Sequence, residues 1–327
     1  MAAPAWYNEP LGKMAQKNSA CAYLEAHGQG LLRERIDKAL ALLRDCTLCP
    51  RLCRVNRLEG ERGTCRAGRL PEVSSCSPHF GEERPLVGRH GSGTIFLTHC
   101  NLRCRFCQNY SISHLGEGSE VSSGRLARMM IELQSLGCHN INFVTPTHYV
   151  PQILEALPAA IEKGLRIPLV YNSSGYDSVS TLRLLDGIID IYMPDIKFAS
   201  SGPAEGYCRA ADYPEVAQAA VKEMHRQVGD LNLDERGIAR RGLLVRHLVL
   251  PEGLAGTAEV VRFLADEIST NTYLNIMDQY HPCGDIPPRS PLDRPTSGDE
   301  FDEALDLANK AGLTRLDKRE RFRLVFC

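Results

Sequence analysis

The sequence has no long apolar run, few aromatic residues and almost no net charge. Its 327 residues include one tryptophan, 6% are aromatic, and the formal net charge is −2 at pH 7. No stretch approaches the about 18 apolar residues typical of a membrane span, and Met1 to Lys13 has no apolar signal core. The near-zero charge gives no global field of the kind that nucleic-acid binding uses. We therefore expect a globular protein without a membrane or nucleic-acid partner.

Cysteine is the residue in excess. The chain has 13 cysteines, and eight of them lie from Cys46 to Cys107. A chain of this length can bury a sufficient core without disulfides. Cysteines clustered at short spacings are typical of metal ligands. We therefore expect reduced, metal-bound thiolates in a cytoplasmic protein.

After Gly93, short β-rich runs alternate with amphipathic stretches. Strands are predicted over Thr94–Thr98, Ile141–Thr145, Pro168–Tyr171, Ile188–Pro194, Leu243–Leu250 and Tyr273–Met277. Helices are predicted over Gly124–Leu136, Val150–Lys163, Ser178–Leu185, Tyr213–Val228, Thr257–Ile268 and Asp299–Ala311, with Ser123 and Asp299 as caps. Six such units predict a parallel α/β sheet, either doubly wound or most of a (β/α) barrel. In both, functional side chains follow the carboxyl ends of the strands.

Three cysteines directly follow the first predicted strand. Cys100, Cys104 and Cys107 have the spacing Cys-x3-Cys-x2-Cys, which cannot complete a four-cysteine iron–sulfur or zinc site by itself. A cluster held by three thiolates leaves one iron open, as a catalytic metal site requires. The alternatives are three chance thiols in a loop, or a zinc site completed by His99 or His114.

This loop, with Phe106 before its last cysteine, resembles the signature of the radical S-adenosylmethionine (radical SAM) enzymes. The chain from Cys46 onward is also similar to uncharacterised radical SAM proteins named after the pyruvate formate-lyase activating enzyme. The similar stretches are 46–53, 91–97, 107–113, 171–176, 190–198 and 279–282.

The resemblance implies a partial (β/α)6 TIM-like barrel with an N-terminal cysteine-rich module. The expected organisation is a helical segment (1–45), the cysteine-rich module (46–90), the partial barrel (91–285), and a C-terminal helix and tail (286–327). It also implies an oxygen-sensitive enzyme whose [4Fe-4S] cluster, held by the three loop cysteines, cleaves S-adenosylmethionine (SAM) reductively. The resulting 5′-deoxyadenosyl radical would abstract hydrogen from a substrate. A one-electron donor such as flavodoxin or ferredoxin would be a partner.

Two strand ends carry polar residues that could hold SAM. Many radical SAM enzymes have Gly-Gly-Glu after the second strand, whereas Thr145 and Thr147 stand near that point here and could replace it. A proline-enforced strand exit is the alternative. Asn172 and Ser174 follow the third strand and suit ribose hydroxyls or a carboxylate, although polar turns are common.

The fourth and fifth strands supply charged candidates. Asp195 and Lys197 form an Asp-x-Lys segment like that at the active site of the activating enzymes, with a structural salt bridge as the alternative. Arg246 and His247 lie within an apolar strand, so alternation turns only one of them inward. The resemblance favours Arg246 as the inward one, facing an anionic group.

A second cysteine set lies upstream. Cys46, Cys49, Cys53 and Cys65 could close a four-thiolate coordination sphere, so a structural zinc ion and an auxiliary iron–sulfur cluster both fit, with free thiols as the alternative. The intervening arginines are interpreted as a solvated loop face. They are Arg51, Arg54, Arg57, Arg62 and Arg66.

Three functions follow. The first is radical SAM chemistry that activates a glycyl-radical enzyme, and the second is radical SAM modification of a small molecule or another peptide. The third, from a different class, is a non-catalytic zinc-binding module that acts on nucleic acid. Such a module would be colourless, and its affinity would fall steeply with salt.

Overall fold

The computed structural model describes residues 21–317, and Cys327 lies outside this range. The described chain folds around one mixed sheet of nine strands. The strands are β1 (Glu72–His79), β2 (Ser92–Leu97), β3 (Ser119–Glu120), β4 (Ile141–Val144), β5 (Leu169–Ser173), β6 (Ile191–Pro194), β7 (Asn232–Leu233), β8 (Ala239–Leu248) and β9 (Tyr273–Met277). Their order is β3-β1-β2-β4-β5-β6-β8-β7, with β9 also paired to β8.

Six consecutive neighbours in this sheet are parallel: β2, β4, β5, β6, β8 and β9. They coincide with the six predicted strands, so the expected α/β fold with a partial barrel is confirmed. Within residues 21–317 β8 is the only strand that pairs with β9, which also forms an isolated bridge between Leu274 and Leu316, and the barrel stays open. On the other side β1 adds to β2 in antiparallel orientation. The sheet therefore begins at Glu72, inside the segment predicted as the cysteine-rich module.

Ten α-helices cover this sheet in the described residues. They are α1 (Ala22–Gly28), α2 (Leu31–Ala41), α3 (Arg84–Val87), α4 (Ser123–Ser135), α5 (Val150–Glu162), α6 (Val179–Leu184), α7 (Ser201–Cys208), α8 (Tyr213–Val228), α9 (Thr257–Phe263) and α10 (Gly298–Lys310). No helix among them is long and apolar enough to cross a membrane.

Two predicted helix caps are each displaced toward the N-terminus. The cap of α4 is Ser122, whose side chain accepts from the backbone N–H of Arg125. The cap of α10 is Ser297, which forms a reciprocal capping box with Glu300. In both cases the hydroxyl is placed to satisfy a backbone donor of the first turn that has no intrahelical partner.

The main core lies between the parallel strands and the helices outside them. Buried aliphatic side chains from β2, β4 and β5 meet those of α4 and α5, whose apolar residues recur at helical spacing. This packing fixes the strands, so the loops after their carboxyl ends converge on one side of the sheet.

Candidate active site and accessory cysteine site

A cavity of about 350 Å³ lies beyond the carboxyl ends of the parallel strands. All three thiols of the loop after β2 line it: Cys100, Cys104 and Cys107. Residues from the ends of the other strands complete the wall, namely Val144, Thr145, Asn172, Ser173, Ser174, Asp195, Lys197, Arg246, Leu248 and Met277. The topology thus brings together side chains more than a hundred residues apart in sequence.

The three loop thiols are largely enclosed, and each sulfur has a hydrogen-bonding neighbour. The backbone N–H of Leu102 donates to Cys100 Sγ over 3.4 Å, and Ser113 Oγ donates to Cys107 Sγ over 3.2 Å. The thiol of Cys208 donates to Cys104 Sγ over 3.3 Å. Burial raises the pKa of Cys100 to about 12, so a bound cation is needed to hold it as a thiolate near neutral pH.

The three thiols meet the requirements of an open iron–sulfur cluster. They face one cavity, receive donors suited to thiolate sulfur, and leave the rest of the cavity for a further ligand. Residues 21–317 contain no group of three or more His, Cys, Asp or Glu side chains that could hold a single metal ion. In the described residues, both histidines of the alternative zinc site contact other side chains. His99 faces Glu72 at 3.3 Å, and His114 stacks on Tyr110.

A buried ion-pair network lines the same cavity as the thiols. Asp195 accepts from Lys197 Nζ at 2.6 Å and from Arg246 Nε at 2.7 Å. Arg246 also donates to the side-chain oxygen of Asn172 at 2.8 Å. Burial raises the pKa of Asp195, but the charges of Arg246 and Lys197 outweigh it and keep that pKa below its usual value. The carboxylate thus fixes both cations at the cavity wall.

Alternation along β8 separates the two basic residues of that strand. Arg246 lines the cavity, whereas His247 is fully buried on the opposite face. His247 Nδ1 donates to the carbonyl of Ile196 at 2.7 Å, so Nε2 accepts from Thr257 Oγ1 at 3.0 Å. Burial lowers the pKa of His247 to about 4, which keeps the imidazole neutral.

The four polar candidates after β4 and β5 divide into two groups. Thr145, Asn172 and Ser174 line the cavity, but Thr147 does not. The side chain of Thr147 is 1% exposed and donates to Asp177 Oδ1 at 2.8 Å. The chain turns into a short 3-10 helix at this point and directs the hydroxyl toward that carboxylate. Thr147 is therefore a structural residue rather than a cavity residue.

Unpaired polar atoms remain on this wall. Among the described residues, neither Asn172 Nδ2 nor Ser174 Oγ has a hydrogen-bond partner, although both are buried. Arg103 also lines the cavity, and one of its guanidinium nitrogens is likewise buried without a hydrogen-bond partner among the described residues. Because buried polar groups are normally satisfied, these atoms point to a polar ligand in the cavity.

Sequence reasoning missed several residues of the cavity wall. Glu82 and Glu83 precede β2, and Arg103 lies within the cysteine loop itself. The carboxylate of Glu82 is 3.6 Å from Arg246. The two glutamates reach the site because β1 pairs beside β2, an antiparallel addition that the strand–helix pattern does not reveal. Arg103 could have been found from its position between two candidate ligands.

The second cysteine set also shares one cavity. Cys46, Cys49, Cys53 and Cys65 line a space of about 10 Å³, which is room for about one atom. The backbone N–H of Thr64 donates to Cys53 Sγ at 3.3 Å. Burial raises the pKa of the Cys49 and Cys65 thiols, and backbone N–H donors offset only part of that rise. In the described chain the four sulfur atoms are not close enough together to bind one metal ion. Metal binding therefore requires the four side chains to move toward each other.

The expected solvated face of arginines is wrong for two residues. Arg57 is 1% exposed, and its guanidinium donates to the carbonyls of Gly68 and His148. Arg51 is half-buried and donates to the backbone of the cysteine loop. Charge counting cannot distinguish these internal donors from the exposed Arg54, which pairs with Asp45.

Six parallel strands with three cysteines after the first define the class of this protein. Residues 94–235 match the model of the radical SAM superfamily, and the chain belongs to that superfamily. Membership implies a [4Fe-4S] cluster and SAM as cofactors. Over 316 residues the chain is 30% identical to the uncharacterised protein MJ0674 of Methanocaldococcus jannaschii, covering 94% of this chain and 87% of that protein.

Two solved structures are also similar. One is a radical SAM methyltransferase from Sphaerobacter thermophilus, with 13% identity, a TM-score of 0.47, and coverage of 69% of this chain and 66% of that one. The other is HydG, a maturase of the [FeFe]-hydrogenase, with 14% identity, a TM-score of 0.48, and coverage of 70% and 52%.

Proposed function

We propose that this protein is a radical SAM enzyme in which Cys100, Cys104 and Cys107 hold the [4Fe-4S] cluster. The observation that carries the proposal is the single cavity in which these thiols face the strand-end residues. A [4Fe-4S] cluster held by these thiols would supply the electron for the reductive cleavage of SAM and, through it, the radical chemistry that removes a hydrogen atom from a substrate. The protein provides orientation and excludes water.

The strand-end residues have distinct roles in this proposal. Asn172 and Ser174 bind polar groups of SAM with the atoms that the described chain leaves unpaired. Thr145 contributes a hydroxyl at the adjacent strand end. Asp195 positions Lys197 and Arg246, and these cations attract an anionic group of SAM or substrate.

For the substrate, we propose a backbone glycine of a glycyl-radical enzyme, following the resemblance to the activating enzymes. Modification of a small molecule or another peptide is the alternative. A one-electron donor such as flavodoxin or ferredoxin completes the reaction. The nucleic-acid alternative loses its support because Arg51 and Arg57 bind backbone carbonyls inside the protein.

At Cys46, Cys49, Cys53 and Cys65 we propose a structural zinc ion, supported by four thiols that line one cavity and can close a tetrahedral coordination sphere. The 12 cysteines of residues 21–317 are all free thiols, which supports a reducing, cytoplasmic setting. We also propose that the enzyme is oxygen-sensitive, because oxygen would react with an iron–sulfur cluster that has an open iron.

Anaerobic reconstitution tests the proposal. Reduced wild-type protein with SAM should form 5′-deoxyadenosine, and a deuterated substrate should transfer deuterium into it. Cys100→Ala should abolish cluster binding, whereas Cys76→Ser should not, because Cys76 lines neither cavity. A glycyl-radical EPR signal on a candidate partner would support the activating role. Failure of the wild type to cleave SAM would overturn the enzymatic proposal.

Metal analysis addresses the accessory site. We expect about four irons and one zinc per chain, following from one cubane cluster and one tetrahedral ion. About eight irons and no zinc would replace the zinc with an auxiliary cluster.

A further inference from the structure

The four-cysteine segment is attached to the three-cysteine loop by hydrogen bonds at two points. Arg51, two residues after Cys49, makes the first attachment. Its Nε donates to the carbonyl of Asn101 at 3.0 Å, and its Nη2 donates to that of Leu102 at 3.2 Å. Both carbonyls lie between the first and second cluster cysteines. Arg51 therefore fixes the backbone of the loop that presents the cluster ligands.

The same guanidinium also binds the end of a helix. Arg51 donates to the carbonyls of Cys208 and Arg209, where α7 ends. Carbonyls at a helix C-terminus have no intrahelical partner and are satisfied by a cation of this kind. The guanidinium carbon also lies 5.1 Å from the centre of the Tyr176 ring. Arg51 thus joins the cluster loop to the end of α7 through the three nitrogen atoms of its guanidinium.

Arg57 makes the second attachment. It lines the four-cysteine cavity and donates to the carbonyl of His148 at 2.8 Å. The imidazole of His148 in turn donates from Nε2 to the carbonyl of Thr98 at 2.9 Å. Thr98 stands two residues before Cys100. The chain of contacts therefore runs from the accessory cavity to the beginning of the cluster loop.

The charge of Arg57 connects this attachment to metal binding. Within the described chain, all hydrogen bonds of its guanidinium go to backbone carbonyls, and the side chain is 1% exposed. A buried cation without an anion is costly. Four thiolates around one divalent ion carry a net charge of −2, and they would place that missing anion in the cavity that Arg57 lines.

We propose that the metal site of Cys46, Cys49, Cys53 and Cys65 is a brace for the catalytic loop. In this proposal, which rests on the radical SAM function proposed above, the filled site fixes Arg51 and Arg57. These two positioning residues then hold the loop in its cluster-binding geometry. Loss of the accessory metal therefore loosens the catalytic cluster even though the two sites share no ligand.

Arg51→Met is the primary variant, because it leaves all seven ligands in place. Arg54→Met is the matched control, since Arg54 lies in the same segment but its side chain is 65% exposed. The full-length proteins are reconstituted anaerobically, and iron release to an excess of chelator is followed. Changes to groups that orient metal ligands typically weaken metal retention by about 10–100-fold, so Arg51→Met should release iron at least about tenfold faster than both wild type and Arg54→Met.

Two further readouts distinguish a brace from a general structural role. Cys65→Ser should lose zinc and release iron faster, whereas Arg51→Met should retain zinc. The SAM-induced change in the EPR spectrum of the reduced cluster should be altered in both variants. Equal iron release and spectra in wild type and variants would overturn the brace, as would loss of helical circular dichroism in Arg51→Met. A wild type that binds no SAM-responsive cluster would instead overturn the radical SAM proposal.

Discussion

Replacing Asp195 by asparagine removes the carboxylate that holds two cations at the cavity. Lys197 Nζ and Arg246 Nε lie 2.6 and 2.7 Å from its two oxygens, and all three side chains are less than a fifth exposed. Removing one partner of a buried ion pair costs about 3–5 kcal/mol, because the other charge is left uncompensated. We expect Asp195→Asn to lower the free energy of unfolding by that amount, because Lys197 loses this carboxylate, whereas Arg246 still lies 3.6 Å from Glu82.

Guanidinium unfolding of wild type and variant in the same metal state measures this loss. The double variant Asp195→Asn/Lys197→Met is the informative control, because it removes one of the stranded cations. We expect it to be more stable than the sum of the single variants predicts, with a coupling of about 0.5–3 kcal/mol. A loss below about 1 kcal/mol for Asp195→Asn, or strict additivity, would show that the network is solvated and refute the reasoning.

The pH dependence provides a second check on the same variant. Burial by itself lowers the pKa of Lys197, and in the wild type the Asp195 carboxylate reverses this and raises it. Without the carboxylate, the pKa of Lys197 in the folded state falls below its unfolded value. The unfolded state then binds more protons, so the stability of Asp195→Asn should rise with pH in the alkaline range. Unchanged pH dependence would contradict this assignment.

Three further predictions concern buried groups near the site. The pKa of His247 is lowered to about 4, chiefly by burial, so the folded state loses stability relative to the unfolded state as pH falls below about 6.5. Between pH 7 and 5, the free energy of unfolding of the wild type should fall by about 2 kcal/mol more than that of His247→Gln, as measured in guanidinium chloride. Equal pH dependence of the two proteins would refute this prediction. Cys208→Ala removes a hydrogen-bond donor to Cys104 Sγ, so the cluster should still bind but have a lower reduction potential in an EPR redox titration. An unchanged reduction potential would count against the Cys208–Cys104 hydrogen bond. Gly175 has φ +77°, and a Cβ there would lie 2.3 Å from the carbonyl oxygen of Asp195. Gly175→Ala should therefore lower the free energy of unfolding by more than about 1 kcal/mol and the thermal midpoint by several degrees.

The fold was largely predictable because each parallel strand and its helix carry their own periodic pattern. The runs at Ile141 and Tyr273, for example, become β4 and β9 with almost the predicted bounds. Elements outside the repeat were not predictable in this way. Strand β1 consists mostly of small and polar residues and contains a proline, so its own sequence shows no strand pattern, and it pairs with the free edge of β2.

The site was predictable where strand ends determine position. Asn172, Asp195 and Arg246 meet because the carboxyl ends of neighbouring parallel strands meet, and alternation correctly separates Arg246 from His247. Thr147 was mispredicted because strand β4 ends at Val144 and the chain then turns. The strand end, rather than the polar residue type, decides which hydroxyl reaches the cavity.

The arginines show where composition stops being informative. Arg51 and Arg54 are three positions apart in one loop, yet the first binds four backbone carbonyls and the second is exposed to solvent. The difference arises from a contact partner about fifty residues away in sequence, the loop around Asn101. An arginine guanidinium has five N–H donors in one plane. It can therefore bind several carbonyls of an irregular loop whose backbone forms no regular hydrogen bonds. Irregular metal-binding loops provide many such carbonyls, and an arginine beside clustered cysteines therefore merits testing as an internal brace before it is assigned to the surface.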